Sequence, residues 1–160
     1  MIRNQKVEEF LEDLASGKPT PGGGAVAALV AAESAALVEM VVALTRDGHI
    51  NHIGEKAHEL RGKLMGLADE DVAAFDSVMA AYKSKDKDLI KKALNGAIVV
   101  PEQTKEYACL LQELAETCEK EGNKNALSDA RAAVYLAQAA QKSAEENIEI
   151  NKKSLANLGD

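Results

Sequence analysis

Apolar residues recur along this chain every three or four positions, and no sustained every-second-residue run appears, so the pattern predicts helices throughout. A first short amphipathic helix is expected from Gln5 to Ala15, closed by Ser16 and Gly17. A second spans Gly23 to Thr45, where only Glu33, Ser34 and Glu39 interrupt an apolar run that begins directly after "PTPGGG". The polar stretch "RDGHINHIGE" reads as a loop. A long third helix follows from Glu55 to Tyr82, with a seam of Leu60, Leu64, Leu67, position 71, Phe75, Val78 and Tyr82. After the solvated turn "KSKDKD", a fourth helix covers Asp86 to Lys120. It is expected to bend or restart near Pro101, because proline has no N–H and crowds the preceding turn. Its second half carries the seam Val100, Thr104, Tyr107, Leu111, Leu114 and Cys118. "EKEGNKN" ends it, and a fifth helix runs from Lys124 to Leu155 with Asn123 or Asn125 as N-cap.

Composition narrows this to an all-α, single-domain bundle of about five helices, two or three of them long, over residues 1–160. Hydrophobic residues make up 46% of the chain but aromatics only 3%, so the core is Ala, Leu, Val and Ile, which suits closely approaching helices. No linker is long enough to divide the 160 residues. The stretch Ala25–Leu44 has the length of a membrane span, yet Glu33 and Glu39 interrupt it and Ala and Val dominate it. It is read as the central helix of a soluble bundle. With 26 acidic and 19 basic residues the net charge is −7, which argues against a nucleic-acid or anionic-membrane partner. A small anion held by one local basic patch stays compatible. Cys109 and Cys118 lie nine residues apart on one helix, about 13 Å along its axis, too far to bridge. Free thiols and a charged, amphipathic N-terminus point to the cytoplasm.

In a bundle, function shows where a polar residue stands on a buried face. Position 71 of the third-helix seam is Asp71, between Leu67 and Phe75, where an isolated carboxylate needs a partner or a ligand. It either pairs with a structural Lys or Arg, is turned outward by helix rotation, or belongs to a site. Asp69 and Asp76 share another face and are expected to be solvated. Asp129 heads a fifth-helix face of Ala133, Leu136 and Ala140 that Asn147 and Asn151 continue. It is a site candidate, or it complements the helix dipole in the first turn. Asp129 and Asn147 are about 27 Å apart along the axis, so one site uses both only if a dimer brings different ends together. Glu33 and Glu39 cannot form an acid pair at a six-residue spacing; Glu39 is the favoured site residue of the two. The glycines either aim backbone N–H groups at an anion or polar ring, or let a neighbouring helix approach. No Lys-Ser/Thr follows them at nucleotide-loop spacing. His49, His52 and His58 lack metal-ligand spacing and are read as solvated, with no metal expected.

The motifs "PTPGGGAVAAL", "ALVEMVVALT", "LADEDVAAFDSVMAAY", Val100-Pro101, "GNKNALSDA" and "NIEINKKSL" occur in the order of the cyclodeaminase/cyclohydrolase family. The chain thus resembles, over nearly its whole length, the C-terminal half of formiminotransferase-cyclodeaminase and the stand-alone methenyltetrahydrofolate cyclohydrolases. The resemblance implies an all-helical, homodimeric enzyme of one-carbon metabolism with a tetrahydrofolate derivative as substrate and no metal. It carries over a glycine motif at Pro21, Gly22, Gly23 and Gly24, and an acidic motif that includes Asp71 and Asp76. A third motif falls on Gly122, Asn123, Asn125, Ser128 and Asp129, and a last one on Asn147 and Asn151. The family usually continues through one more helix, and the loop after Thr45 is short here.

Under that resemblance, Asp71 or Asp129 is expected to act as the catalytic carboxylate. Asn123, Asn125 and the glycine backbone would orient the pterin, and Lys18, Lys124 and Arg131 are candidates to meet the anionic glutamate tail. Cyclohydrolase and cyclodeaminase chemistry remain equally open, beside a non-catalytic folate- or ligand-binding helical dimer.

Overall fold

The structure, a computed structural model, describes residues 1–158. Five α-helices build it: α1 (Val7–Ala15), α2 (Gly23–Ala43), α3 (Asn51–Ser84), α4 (Lys87–Glu121) and α5 (Leu127–Ala156), with 3-10 turns at Ile2–Asn4 and Lys124–Ala126. The described residues contain no strand, so the all-α bundle read from the sequence is the observed fold.

The most apolar helix, α2, sits at the centre of the bundle. Ala25, Ala27, Ala28, Ala31, Ala32 and Ala35 on it are nearly or wholly buried, as are Ala130, Ala133, Ala137, Ala140 and Ala144 on α5. Facing alanines carry almost no side-chain bulk, so the helices can approach toward the short end of the usual 8–10 Å interaxial range. The one polar side chain in the middle of this contact, Ser34, donates its hydroxyl to the carbonyl of Ala133 at 2.8 Å and is fully buried. The larger residues fill the space on α3 and α4: Ile53, Leu60, Leu64, Leu67, Val100 and Leu111 are all buried. Of the described helices α2 alone is long and apolar enough to cross a membrane, and 56% of its apolar window is covered by the rest of the bundle.

Two expectations need correction. The helix expected to begin at Glu55 begins at Asn51, because Gly48 takes a left-handed turn (φ 71°) and Ile50, only 1% exposed, anchors the chain directly before the helix. The helix expected to bend or restart at Pro101 instead runs without interruption from Lys87 to Glu121. Proline at 101 leaves the carbonyl of Ala97, four residues earlier, without its helical donor. The side-chain amide of Asn151 on α5 takes that place, donating to Ala97 O at 2.9 Å.

The turn between α4 and α5 is fixed to the far end of α2. The backbone N–H of Asn123 donates to Thr45 Oγ1 at 3.0 Å, its side-chain Nδ2 donates to the carbonyl of Leu44 at 2.7 Å, and its Oδ1 accepts from the N–H of Asn125. Gly122 is required there for space, since its φ of −76° is open to any residue. A Cβ at this position would lie 2.7 Å from Val41 Cγ1 and overlap the carbonyl of Cys118. Gly122→Ala should therefore destabilise the fold by about 1–3 kcal/mol, the usual cost of overpacking. Urea unfolding measures it, and an unchanged midpoint would contradict this packing.

Candidate active site

The third-helix seam changes its task at Asp71. Leu60, Leu64 and Leu67 before it are core, whereas Phe75 and Val78 after it are half-buried and Tyr82 is 43% exposed. From Asp71 onward this face of α3 forms one wall of a cleft of about 360 Å³. The head of α2 supplies a second wall with Gly22, Gly23 and Gly24, Leu94 and Ala97 of α4 a third, and Asn147, Asn151 and Ser154 of α5 the last.

Asp71 is seated against the first turn of α2, where helix N–H groups lack internal partners. Burial pushes its carboxyl above the ordinary value, and a hydrogen bond from the backbone N–H of Ala25 opposes that only in part. Gly24 makes the seat possible: a Cβ there would lie 2.6 Å from Asp71 Cγ and overlap its Oδ1. Of the two readings of the glycines, the structure shows the close approach at Gly24, whereas the N–H that meets the anion belongs to Ala25 and not to a glycine. The anion at the helix N-terminus is the protein's own carboxylate, and Gly24 is what lets it come close. Gly23 faces α5, where its carbonyl accepts from Ser143 Oγ at 3.3 Å. Among the described residues, Asp71 has no Lys or Arg beside it and no cationic side chain lines the cleft. Of the alternatives open for Asp71, pairing with a structural Lys or Arg is therefore not the one observed.

The remaining sequence candidates divide between two ends of the bundle. Pro21 lies beside the cleft, lining an adjoining hollow with Asp69 and Asp76. Asn147 and Asn151 are in the cleft with Asp71. Asn123, Asn125, Ser128 and Asp129 gather at the opposite end of α2, about 30 Å away along its 21 residues. Asp129 occupies the first turn of α5, as a dipole-complementing acid would. Glu39 is also toward that end and is engaged by Arg61 Nε at 2.5 Å and by His58 Nδ1 at 3.0 Å. Partial burial alone would raise its carboxyl, but the hydrogen bonds from Arg61 and His58 outweigh it and hold Glu39 below its ordinary value.

The three cations expected to meet an anionic tail are each engaged elsewhere. Lys18 pairs with Asp13 at 3.0 Å, Lys124 Nζ donates to the carbonyl of Lys120 at 2.7 Å, and Arg131 pairs with Glu119 at 2.9 Å. Asp69 is not solvated as expected. It accepts from the backbone N–H of Ile2 at 2.5 Å and from Arg3 Nε at 2.7 Å, which fastens the N-terminal turn to α3 beside the cleft. Nothing in the periodicity of α3 signals this, because both partners, the backbone of Ile2 and the side chain of Arg3, lie more than sixty residues earlier in the chain. His49 and His58 are exposed but each lies against a carboxylate, Asp47 and Glu39 respectively.

A family profile described as formiminotransferase-cyclodeaminase matches residues 6–158. The methenyltetrahydrofolate cyclohydrolase of Methylorubrum extorquens is 39% identical, over 97% of this chain and 83% of that protein. The formimidoyltransferase-cyclodeaminase of Rattus norvegicus is 29% identical over 96% of this chain, which spans only 32% of that longer protein. Among solved structures, the formiminotetrahydrofolate cyclodeaminase of Thermotoga maritima superposes with a TM-score of 0.87 at 34% identity, covering 97% of this chain and 82% of that one.

Because the folded chain holds the Asp71 proton more tightly than the unfolded chain does, ionising this group costs stability as pH rises through 3.8 and beyond. Asp71→Asn removes that cost. The melting temperature of the variant relative to the parent should therefore shift upward as pH is raised from below 3.8 toward neutrality. A difference that is flat with pH, or that falls, would show that Asp71 is not desolvated.

Proposed function

The chain belongs to the formiminotransferase-cyclodeaminase family, and from that premise we propose that it is a methenyltetrahydrofolate cyclohydrolase with Asp71 as its catalytic carboxylate. The observation that carries the reading is a half-buried, cation-free carboxylate facing a cleft with aromatic and amide walls. Cyclohydrolysis adds water to the cationic carbon that bridges N5 and N10 of the folate, then breaks one carbon–nitrogen bond to leave a formyl group. The substrate's positive charge is spread over an amidinium. A carboxylate with no competing Lys or Arg favours that charge, and it can take the proton of the attacking water as general base. Phe75 and Tyr82 offer flat surfaces for the heterocycle. The alignment with a cyclohydrolase over most of both chains supports turnover over a purely ligand-binding scaffold.

A second reading, formiminotetrahydrofolate cyclodeaminase, is favoured by the close superposition on the Thermotoga maritima structure. There N10 attacks the formimino carbon and ammonia leaves, and the same carboxylate would deliver the departing amine its proton. The cytoplasmic location expected from the sequence is part of this proposal, supported by the unpaired Cys109 and Cys118.

A homodimer reconciles the two ends. If Asp71 of one subunit works with Asp129, Asn123 and Asn125 of another, the separation along α2 ceases to be an obstacle. To meet the glutamate tail, Lys124 and Arg131 of the second subunit, or Lys18 of the first, would have to leave the partners they hold within the subunit.

The ultraviolet absorbance of methenyltetrahydrofolate follows the reaction directly: enzyme-dependent decay supports cyclohydrolase, and build-up from formiminotetrahydrofolate supports cyclodeaminase. Asp71→Asn should lower turnover by about 10²–10⁴-fold, the usual share of a general base. Full turnover in that variant would remove Asp71 from the mechanism. If sites are shared, mixing Asp71→Asn subunits with Asp129→Asn subunits should restore activity that neither has alone, because a mixed dimer keeps one unaltered site. Failure to complement, with mixed dimers confirmed by mass, would place both groups outside a common site.

A further inference from the structure

The contact between Asn151 and Ala97 ties a backbone irregularity in α4 to a side chain in the cleft. Pro101 is buried in the middle of α4 and cannot donate to the carbonyl of Ala97. Ala97 is itself 8% exposed, so its carbonyl would otherwise lack a partner in a largely dry environment. Asn151 Nδ2 supplies the donor at 2.9 Å, and both Ala97 and Asn151 line the cleft that holds Asp71. A carboxamide is planar, with its nitrogen and oxygen at opposite corners. Turning it over would set its oxygen against the Ala97 carbonyl oxygen. The amide is therefore locked in one orientation, with Oδ1 free of any protein donor among the described residues.

Asn147, one turn earlier on α5, is held in the same sense: its Nδ2 donates to the carbonyl of Ser143 at 2.8 Å. Both amides thus spend donors on the protein and keep acceptors. Beside the Asp71 carboxylate that faces the reacting carbon, these two amides offer oxygen acceptors one helical turn apart, which suits a ligand edge made of N–H groups.

We propose that Pro101 is a positioning residue: by leaving the Ala97 carbonyl open it fixes the Asn151 amide with its oxygen as the acceptor for the N–H edge of a folate's 2-aminopyrimidinone ring. This rests on the folate reading of the cleft and adds to it a ring orientation and a reason for proline inside an unbroken helix. Restoring an N–H at position 101 would release Asn151 to rotate, with no group removed from the cleft.

The test combines a stability cycle with a binding measurement. Asn151→Leu should lower the melting temperature more in the parent than in a Pro101→Ala background, where residue 101 now donates to Ala97. Binding is measured by calorimetry with tetrahydrofolate and with an analogue whose 2-amino group is replaced by methyl. The parent should prefer the amino form. Asn151→Leu should weaken tetrahydrofolate binding by about tenfold, the worth of one well-made hydrogen bond. Pro101→Ala should weaken it several-fold and reduce the preference for the amino form, although every cleft side chain is retained. If the parent binds tetrahydrofolate while Pro101→Ala keeps both affinity and preference, the positioning role is overturned and the folate reading stands. If the parent binds no folate, the folate reading and the ring orientation fall together, and the stability cycle still reports whether Asn151 serves the helix. Equal destabilisation in both backgrounds would overturn the lock itself.

Discussion

A carboxylate seated on the first turn of the most apolar helix is the constraint around which the candidate site is arranged. Asp71 reaches the N–H of Ala25 only because position 24 has no side chain, and its carboxyl holds its proton more tightly than an ordinary one because burial disfavours the charged form. Neither condition would arise in a loosely packed bundle. The alanine faces of α2 and α5 bring the helices together, and the buried Ser34 hydroxyl, paired with Ala133, fixes how they meet. Packing at the centre thus sets the electrostatics at the end.

The same logic explains why flexible backbone precedes a rigid helix. Gly22 is extended and Gly23 makes ordinary contacts, so neither position demands glycine by conformation or crowding. Gly24 alone is sterically obligatory, and what it accommodates is a side chain of this chain. Any ligand entering the cleft meets that side chain already in place, which is preorganisation in the sense that matters for stabilising a cation.

Much of this was legible in the residues. The four-three spacing of Leu60, Leu64 and Leu67 located the core face of α3, and Asp71 marked the point where that face leaves the core for the cleft. Asn147 and Asn151 were found because they extend an alanine face with polar groups. Pairings that join distant parts of the chain were not legible. Asp69 binds the backbone of Ile2, Asn151 binds the backbone of Ala97, and a periodic pattern records side chains but not the carbonyls and amides they serve. Glu39 looked like a site residue because an acid interrupts an apolar helix; its explanation, Arg61 and His58, lies on the neighbouring helix. Pro101 looked like a break because its remedy comes from α5, fifty residues on.

The state of one carboxyl group decides whether the cleft can work as a site for a cationic folate. Carbon-13 NMR of the Asp71 side chain, titrated in the free protein and again with a methenyltetrahydrofolate analogue bound, reads it directly. The midpoint should lie above 3.8 without ligand and should fall when the folate cation is bound. A midpoint at or below 3.8 in the free protein, or one that the ligand leaves unchanged, would contradict this role for Asp71.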